Sequence, residues 1–245
     1  MPAWLIGLAI AAAVLLFARK TSGPSPAIAG GAKRKGASKL NDDLLTAATE
    51  LVPDASTVLR PGDPRIDPVY GGRMGDRFGA PAWGYYQVLL DANGKKGGTT
   101  CVITLGYLMG RSGWPADMVN RPADDKFGAP GSGMRPGSMK VIDAAKVHGF
   151  YKLPELVGAA WLPGDAYHID HPPRPNSDHV GTVASVSDPA ADGTRQVETI
   201  DGGQGAGADI KRNVRTLSAD GKTLALGGDV ARVLGVIRAD GGAVA

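Results

Sequence analysis

The chain carries one cysteine and four histidines, so the residues able to do nucleophilic chemistry are few and can be weighed singly. Cys101 stands in Thr99 to Gly110, TTCVITLGYLMG, at or near the first turn of a predicted apolar helix with Thr99 or Thr100 as N-cap. At such a terminus the unbonded backbone N–H groups and the positive end of the helix dipole stabilise a thiolate. The same N–H groups can hold an oxyanion. A lone cysteine in an apolar run is also a common packed core residue, and position alone leaves both roles open.

A thiolate nucleophile needs a base. His148 ends a predicted helix, where a cation suits the dipole, and His168 and His171 lie in YHIDHPPRP ahead of three prolines. His179 opens a predicted strand. The predicted strands His179–Ser187 and Arg195–Asp201 flank Asp188–Asp192, a strong turn signal. A five-residue loop there sets Ser187 across from Gly193 and His179 directly opposite Asp201, on one face of the hairpin. An imidazole beside a carboxylate is the base and orienting group of a triad. A slip of one residue undoes it, and the alternative is an exposed polar pair worth a few tenths of a kcal/mol.

The elements that must position these residues follow from patterning. Asn41–Asp43 starts a helix whose stripe is Leu44, Leu45, Ala48 and Leu51, and Pro53 ends it. Residues 54–82 are rich in Gly, Pro and Asp and read as a long loop anchored by Tyr70 and Phe78. Beyond the Cys101 helix, Met139–His148 is helical, with Val141, Ile142, Ala145 and Val147 apolar. After Gly158 the pattern turns to strands at Asp165–Ile169, 179–187, 195–201, Asp209–Leu217 and Arg232–Ala239, with a turn at 218–221. Helices first and antiparallel strands after is an α+β order.

Length and composition bound the function classes. The 245 residues are 43% hydrophobic and 21% charged, enough for a real core, and one cysteine rules out an internal disulfide framework and a Cys-based zinc cluster. The net charge of +3 conceals an asymmetry. Residues 1–40 hold Arg19, Lys20, Lys33, Arg34, Lys35 and Lys39 and no acid, leaving 21 basic against 24 acidic residues beyond them. A main domain at −3 removes the electrostatic premise for nucleic-acid binding.

Ala3 to Ala18, AWLIGLAIAAAVLLFA, is uncharged and apolar. As a helix it spans about 24 Å, a little short of a hydrocarbon core of about 30 Å. The expected organisation is a single-pass anchor over 1–20 meeting the bilayer through residues 3–18, a flexible basic linker over 21–40, and a catalytic domain over 41–245. Localisation would then be at the cell envelope or on a virion. A cleaved signal peptide ending at Ala27-Ile28-Ala29 is the alternative. Flanking positive charge after the segment favours a cytoplasmic domain, which conflicts with an envelope substrate.

Taken in order, Cys101 at a helix start, Leu162-Pro163-Gly164-Asp165 before a strand, His179-Val180-Gly181-Thr182-Val183, and a strand ending Thr199-Ile200-Asp201-Gly202-Gly203 resemble the CHAP and NlpC/P60 superfamily. These are papain-like amidases and peptidases that act mostly on bacterial cell-wall peptides. The resemblance covers about residues 85–240. It implies a papain-like α+β domain, Cys101 as nucleophile, His179 as general base and acid, and Asp201 as the third polar residue. It implies an N-acetylmuramoyl-L-alanine amidase or a peptidoglycan endopeptidase, with Gly164 making a structural turn. No cofactor and no metal are expected.

Other readings stay beside this one. His168, Asp170, His171, Asp178 and His179 have the ligand types of a zinc peptidase, but Pro172, Pro173 and Pro175 stiffen the segment between them. Gly202–Gly207, GGQGAG, has the look of a dinucleotide loop but is followed by a strand pattern, so it reads as a turn by the site with Gln204 placed to touch substrate. Trp83, Tyr85, Tyr86, Trp114 and Trp161 are candidates to line a peptide or sugar groove, Trp83 and Tyr86 first among them, or else to fill the core. A cell-wall-binding module without catalysis is the non-enzymatic alternative.

Overall fold

Strand-forming sequence dominates the second half of the chain, and the computed structural model turns it into a barrel. The structure describes residues 38–60, 63–65, 100–115, 118, 138–171, 178–204 and 209–240, with only the backbone described at 100, 102, 103, 138–140 and 204. Eight strands form, three of them short or peripheral, and only the last six come after all the helices: β1 (Val58–Leu59), β2 (Tyr151–Lys152), β3 (Ala166–Asp170), β4 (His179–Val186), β5 (Arg195–Gln204), β6 (Asp209–Leu217), β7 (Thr223–Leu226) and β8 (Asp229–Ile237). Neighbours run β6-β5-β4-β3-β8, and β7 pairs with both β6 and β8. The six strands β3 to β8 therefore close on themselves, all antiparallel, with β1 added to β6 and β2 to β8.

This overturns the expectation of a papain-like α+β domain with helices first and an antiparallel sheet after. The deciding element is β7, Thr-Leu-Ala-Leu, whose four residues bridge two strands that would otherwise be sheet edges. Closure satisfies those edges, which an open sheet leaves unpaired. The helices α1 (Lys39–Leu51), α2 (Thr100–Arg111), α3 (Ser138–Val147) and α4 (Pro154–Val157) are an outer layer against this barrel rather than a leading half of the fold.

Two cores result. Inside the barrel, Tyr167, Ile169, Val183, Val186, Val197, Leu217, Leu224, Val233 and Val236 pack together. Outside it, α1 and α2 bury Leu44, Ala48, Leu51, Leu105, Leu108 and Met109 against the other face of the strands, on Val180, Ala184, Ile200, Ile210 and Ile237. The strands are thus buried on both faces, which is why β4 lacks a polar side.

α1 starts earlier than expected, because Ser38 and not the Asn-Asp pair caps it, accepting from the Asn41 N–H. Asn41 is instead buried, and its side chain donates to the Gly164 carbonyl at 2.8 Å and accepts from the Ala239 N–H at 3.0 Å. That clamp joins α1 to the Leu162–Asp165 turn and to the end of β8. Gly164 has φ +85°, and a Cβ there would collide with the Asn41 carbonyl, so the turn needs glycine on both counts. Asp165 accepts from the Leu162 N–H and from Arg238 Nε and Nη2. Burial raises its pKa, against the pull of Arg238.

The expected membrane anchor finds no support. The described helices run 13, 12, 10 and 4 residues, against about 20 needed to span a bilayer. Among the described residues no helix is long and apolar enough to cross a membrane. Residues 3–18, the expected anchor, lie outside the described residues, as do residues 21–37 of the expected linker and the loop anchors Tyr70 and Phe78, whereas Ser38, Lys39 and Leu40 of that linker belong to the cap and first turn of α1. The described residues thus do not support the expected single-pass helical anchoring.

Candidate active site

Cys101 is the second residue of α2, in the turn whose backbone N–H groups have no partner within the helix. α2 packs on β4 and β5, and it carries the sulfur to the point where β4 begins. His179 is the first residue of β4. Its imidazole is hydrogen-bonded to the Cys101 thiol, and its Nε2 lies 3.3 Å from Asp201 Oδ1 on β5. Cys101 is 4% exposed and Asp201 is fully buried, while the His179 side chain keeps 13% of its surface open. The structure thus brings together the three residues that the sequence singled out.

The pairing that achieves this differs from expectation. A five-residue hairpin loop would place His179 directly opposite Asp201. The hairpin instead pairs Val186 with Val197 and Ser185 with Glu198, then steps by one residue, so that Val183 faces Thr199 and Thr182 faces Ile200. Continued onward, this register sets Asp201 across from Gly181, with His179 one position further along the same face. The extra residue is Ala184, a β-bulge. Without it Asp201 would stay inside the barrel but pair with Thr182, and His179, three residues from Thr182, would turn to the helix-covered face away from the carboxylate.

Asp201 is held by more groups than His179. Thr199 Oγ1 (2.8 Å), Asn213 Nδ2 (2.6 Å) and Arg215 Nη2 (3.0 Å) all donate to Oδ2, while the Tyr167 hydroxyl donates to Oδ1. All four side chains lie inside the barrel wall. Burial alone would raise the Asp201 pKa, but the Arg215 charge and the bonds from His179 and Tyr167 hold it well below the ordinary carboxylate range. His179 answers the same balance. Burial opposes its charged form, yet hydrogen bonds to Asp201 and Cys101 and the charges of both raise its pKa to about 9. Burial also holds the Tyr167 phenol well above its usual value, so it stays a donor.

None of Tyr167, Thr199, Asn213 and Arg215 was singled out from sequence. A faint signal existed in β6, where Lys211, Asn213 and Arg215 share one face and alternate with Ile210, Arg212, Val214 and Thr216. A period-two polar set reads as the solvent face of a strand, and only closure of the barrel turns it inward.

The remaining candidates separate from the site. Trp83, Tyr85 and Tyr86 lie outside the described residues, and of Gln204 only the backbone is described, at the end of β5. Trp114 is buried, edge-on to Phe150, and donates to the Leu40 carbonyl, and Trp161 is buried and stacks on Tyr167, so both fill cores. The histidines of the zinc reading take separate partners: His168 binds Tyr151 and Asp178, His171 pairs with Asp229, and His179 pairs with Asp201. Among the described residues no group of three or more His, Cys, Asp or Glu is arranged to hold a metal ion. The Gly202 segment leads into β6 and not into a helix.

No family model, no curated protein and no solved structure matches this chain.

Proposed function

We propose that the protein is a cysteine hydrolase of amide bonds, with peptidoglycan stem peptides or cross-bridges as its substrate. One observation carries the activity: a single imidazole touches both a thiol at a helix start and a buried, ionised carboxylate. The order of sequence motifs described above supports the substrate class.

In this mechanism Asp201 occupies Nε2, leaving Nδ1 to exchange a proton with sulfur. His179 takes the Cys101 proton, and the thiolate adds to the amide carbonyl carbon. Backbone N–H groups in the first turn of α2 hold the resulting oxyanion. The imidazolium then gives its proton to the leaving amine as the C–N bond breaks, and a thioester remains. His179, now neutral, takes a proton from water, whose oxygen attacks the thioester. The acid product leaves, and the thiolate–imidazolium pair returns.

Purified sacculi incubated with the protein, with product masses read out, test this directly. The expected result is release of peptide fragments by the unaltered protein and none by Cys101→Ala or His179→Ala. Cleavage that survives Cys101→Ala refutes the mechanism.

A further inference from the structure

An ion pair sealed inside a β-barrel costs desolvation energy, and apolar residues of similar volume are often as stable or more so. The barrel nevertheless encloses Arg215, whose side chain is 3% exposed. Its guanidinium lies over the Tyr167 ring at 5.6 Å, donates through Nη2 to Asp201 Oδ2, and donates through Nε to Thr199 Oγ1 at 3.3 Å. The Thr199 hydroxyl donates in turn to the same Oδ2. With Asn213 the donors saturate Oδ2 and turn Oδ1 toward Tyr167 and His179.

We propose that Arg215 is a positioning residue of the site, which from inside the barrel fixes Asp201 as a carboxylate in one orientation and so sets the charge of the Cys101–His179 pair. This rests on reading Cys101, His179 and Asp201 as a working triad. The charges run in alternation: thiolate, imidazolium, carboxylate, guanidinium. The charged or polar groups facing this chain are Cys101 from α2, Tyr167 from β3, His179 from β4, Thr199 and Asp201 from β5, and Asn213 and Arg215 from β6. With Arg215 in place the fully charged set sums to zero. Without it, a thiolate leaves a buried net charge of −1, so the thiol holds its proton to higher pH.

The test is the pH dependence of Cys101 alkylation by iodoacetamide in the full chain, a readout that needs no substrate. In the unaltered protein the reactive thiolate is expected well below the ordinary thiol value of about 8.5. Arg215→Met is expected to raise the midpoint by about one pH unit, seen as about tenfold slower alkylation at pH 6. Arg215→Lys, which keeps the charge, recovers most of the rate. Thr199→Val moves the midpoint the same way by less, and it decides the matter if Arg215→Met does not fold.

A midpoint unmoved in Arg215→Met or, failing that variant, in Thr199→Val overturns this inference alone. So does Arg215→Lys shifting as far as Arg215→Met. An ordinary thiol midpoint in the unaltered protein overturns the triad reading and this inference with it.

Discussion

The hydroxyl of Tyr167 and the carboxylate of Asp201 meet across the bare backbone of Gly181. Tyr167 is paired directly with Gly181 on β3 and β4, and β5 brings Asp201 from the other side. A Cβ at Gly181 would collide with Asp201 Oδ1 and stand 2.8 Å from both Tyr167 Cε1 and its hydroxyl. Gly181→Ala is therefore expected to lower stability by about 1–3 kcal/mol, the usual range for overpacking. Chemical denaturation measures it, and unchanged stability would mean the two side chains do not meet over this residue.

Asp201→Asn keeps the shape of the side chain and removes its charge. Hydrolysis is expected to fall by roughly 10²–10⁴-fold, because the imidazolium loses its partner and its fixed orientation. Arg215 is left buried without a counter-charge, so stability falls as well, by about 3–5 kcal/mol. Steady-state rates and denaturation on the same preparation check both.

The pH profile follows from His179. Its pKa is raised from 6.5 to about 9, with burial opposing and the bonds to Asp201 and Cys101 prevailing. The leaving amine needs the imidazolium, so turnover is expected to decline as pH rises through about 9. The linked stability has the same sign. A proton held more tightly when folded favours the fold below pH 6.5, and that contribution is lost as pH climbs through about 9. Rates and melting temperatures between pH 6 and 10 test both; a decline centred near 6.5 would place the imidazole in ordinary solvent.

Arg238→Met separates architecture from chemistry. It strands the buried Asp165 carboxylate without its two guanidinium bonds. The expected cost is about 3–5 kcal/mol of stability, with no change in the midpoint of Cys101 alkylation. A shifted midpoint would tie the Leu162–Asp165 turn to the reacting groups.

Sequence made the site legible further than the fold. Cys101, His179 and Asp201 were each marked by local context, a helix start and two strand ends. The His179–Asp201 partnership was inferred from a pairing two residues out of register, and it survives because the true register keeps both on the same face. A bulge at Ala184 leaves no signature in a run of small and β-branched residues. Barrel closure was hidden for a similar reason. Four residues of β7 are too few for an alternation to be recognised, and without closure Arg215 and Asn213 look like residues bathed in water.

The atoms proposed to react sit on a seam. Sulfur belongs to the helical layer outside the barrel, whereas the groups that orient the carboxylate belong to the interior. Peeling α2 from the strands would separate nucleophile from base while leaving the strand ladder intact. Catalysis would then vanish under mild denaturant before circular dichroism registers any loss of sheet.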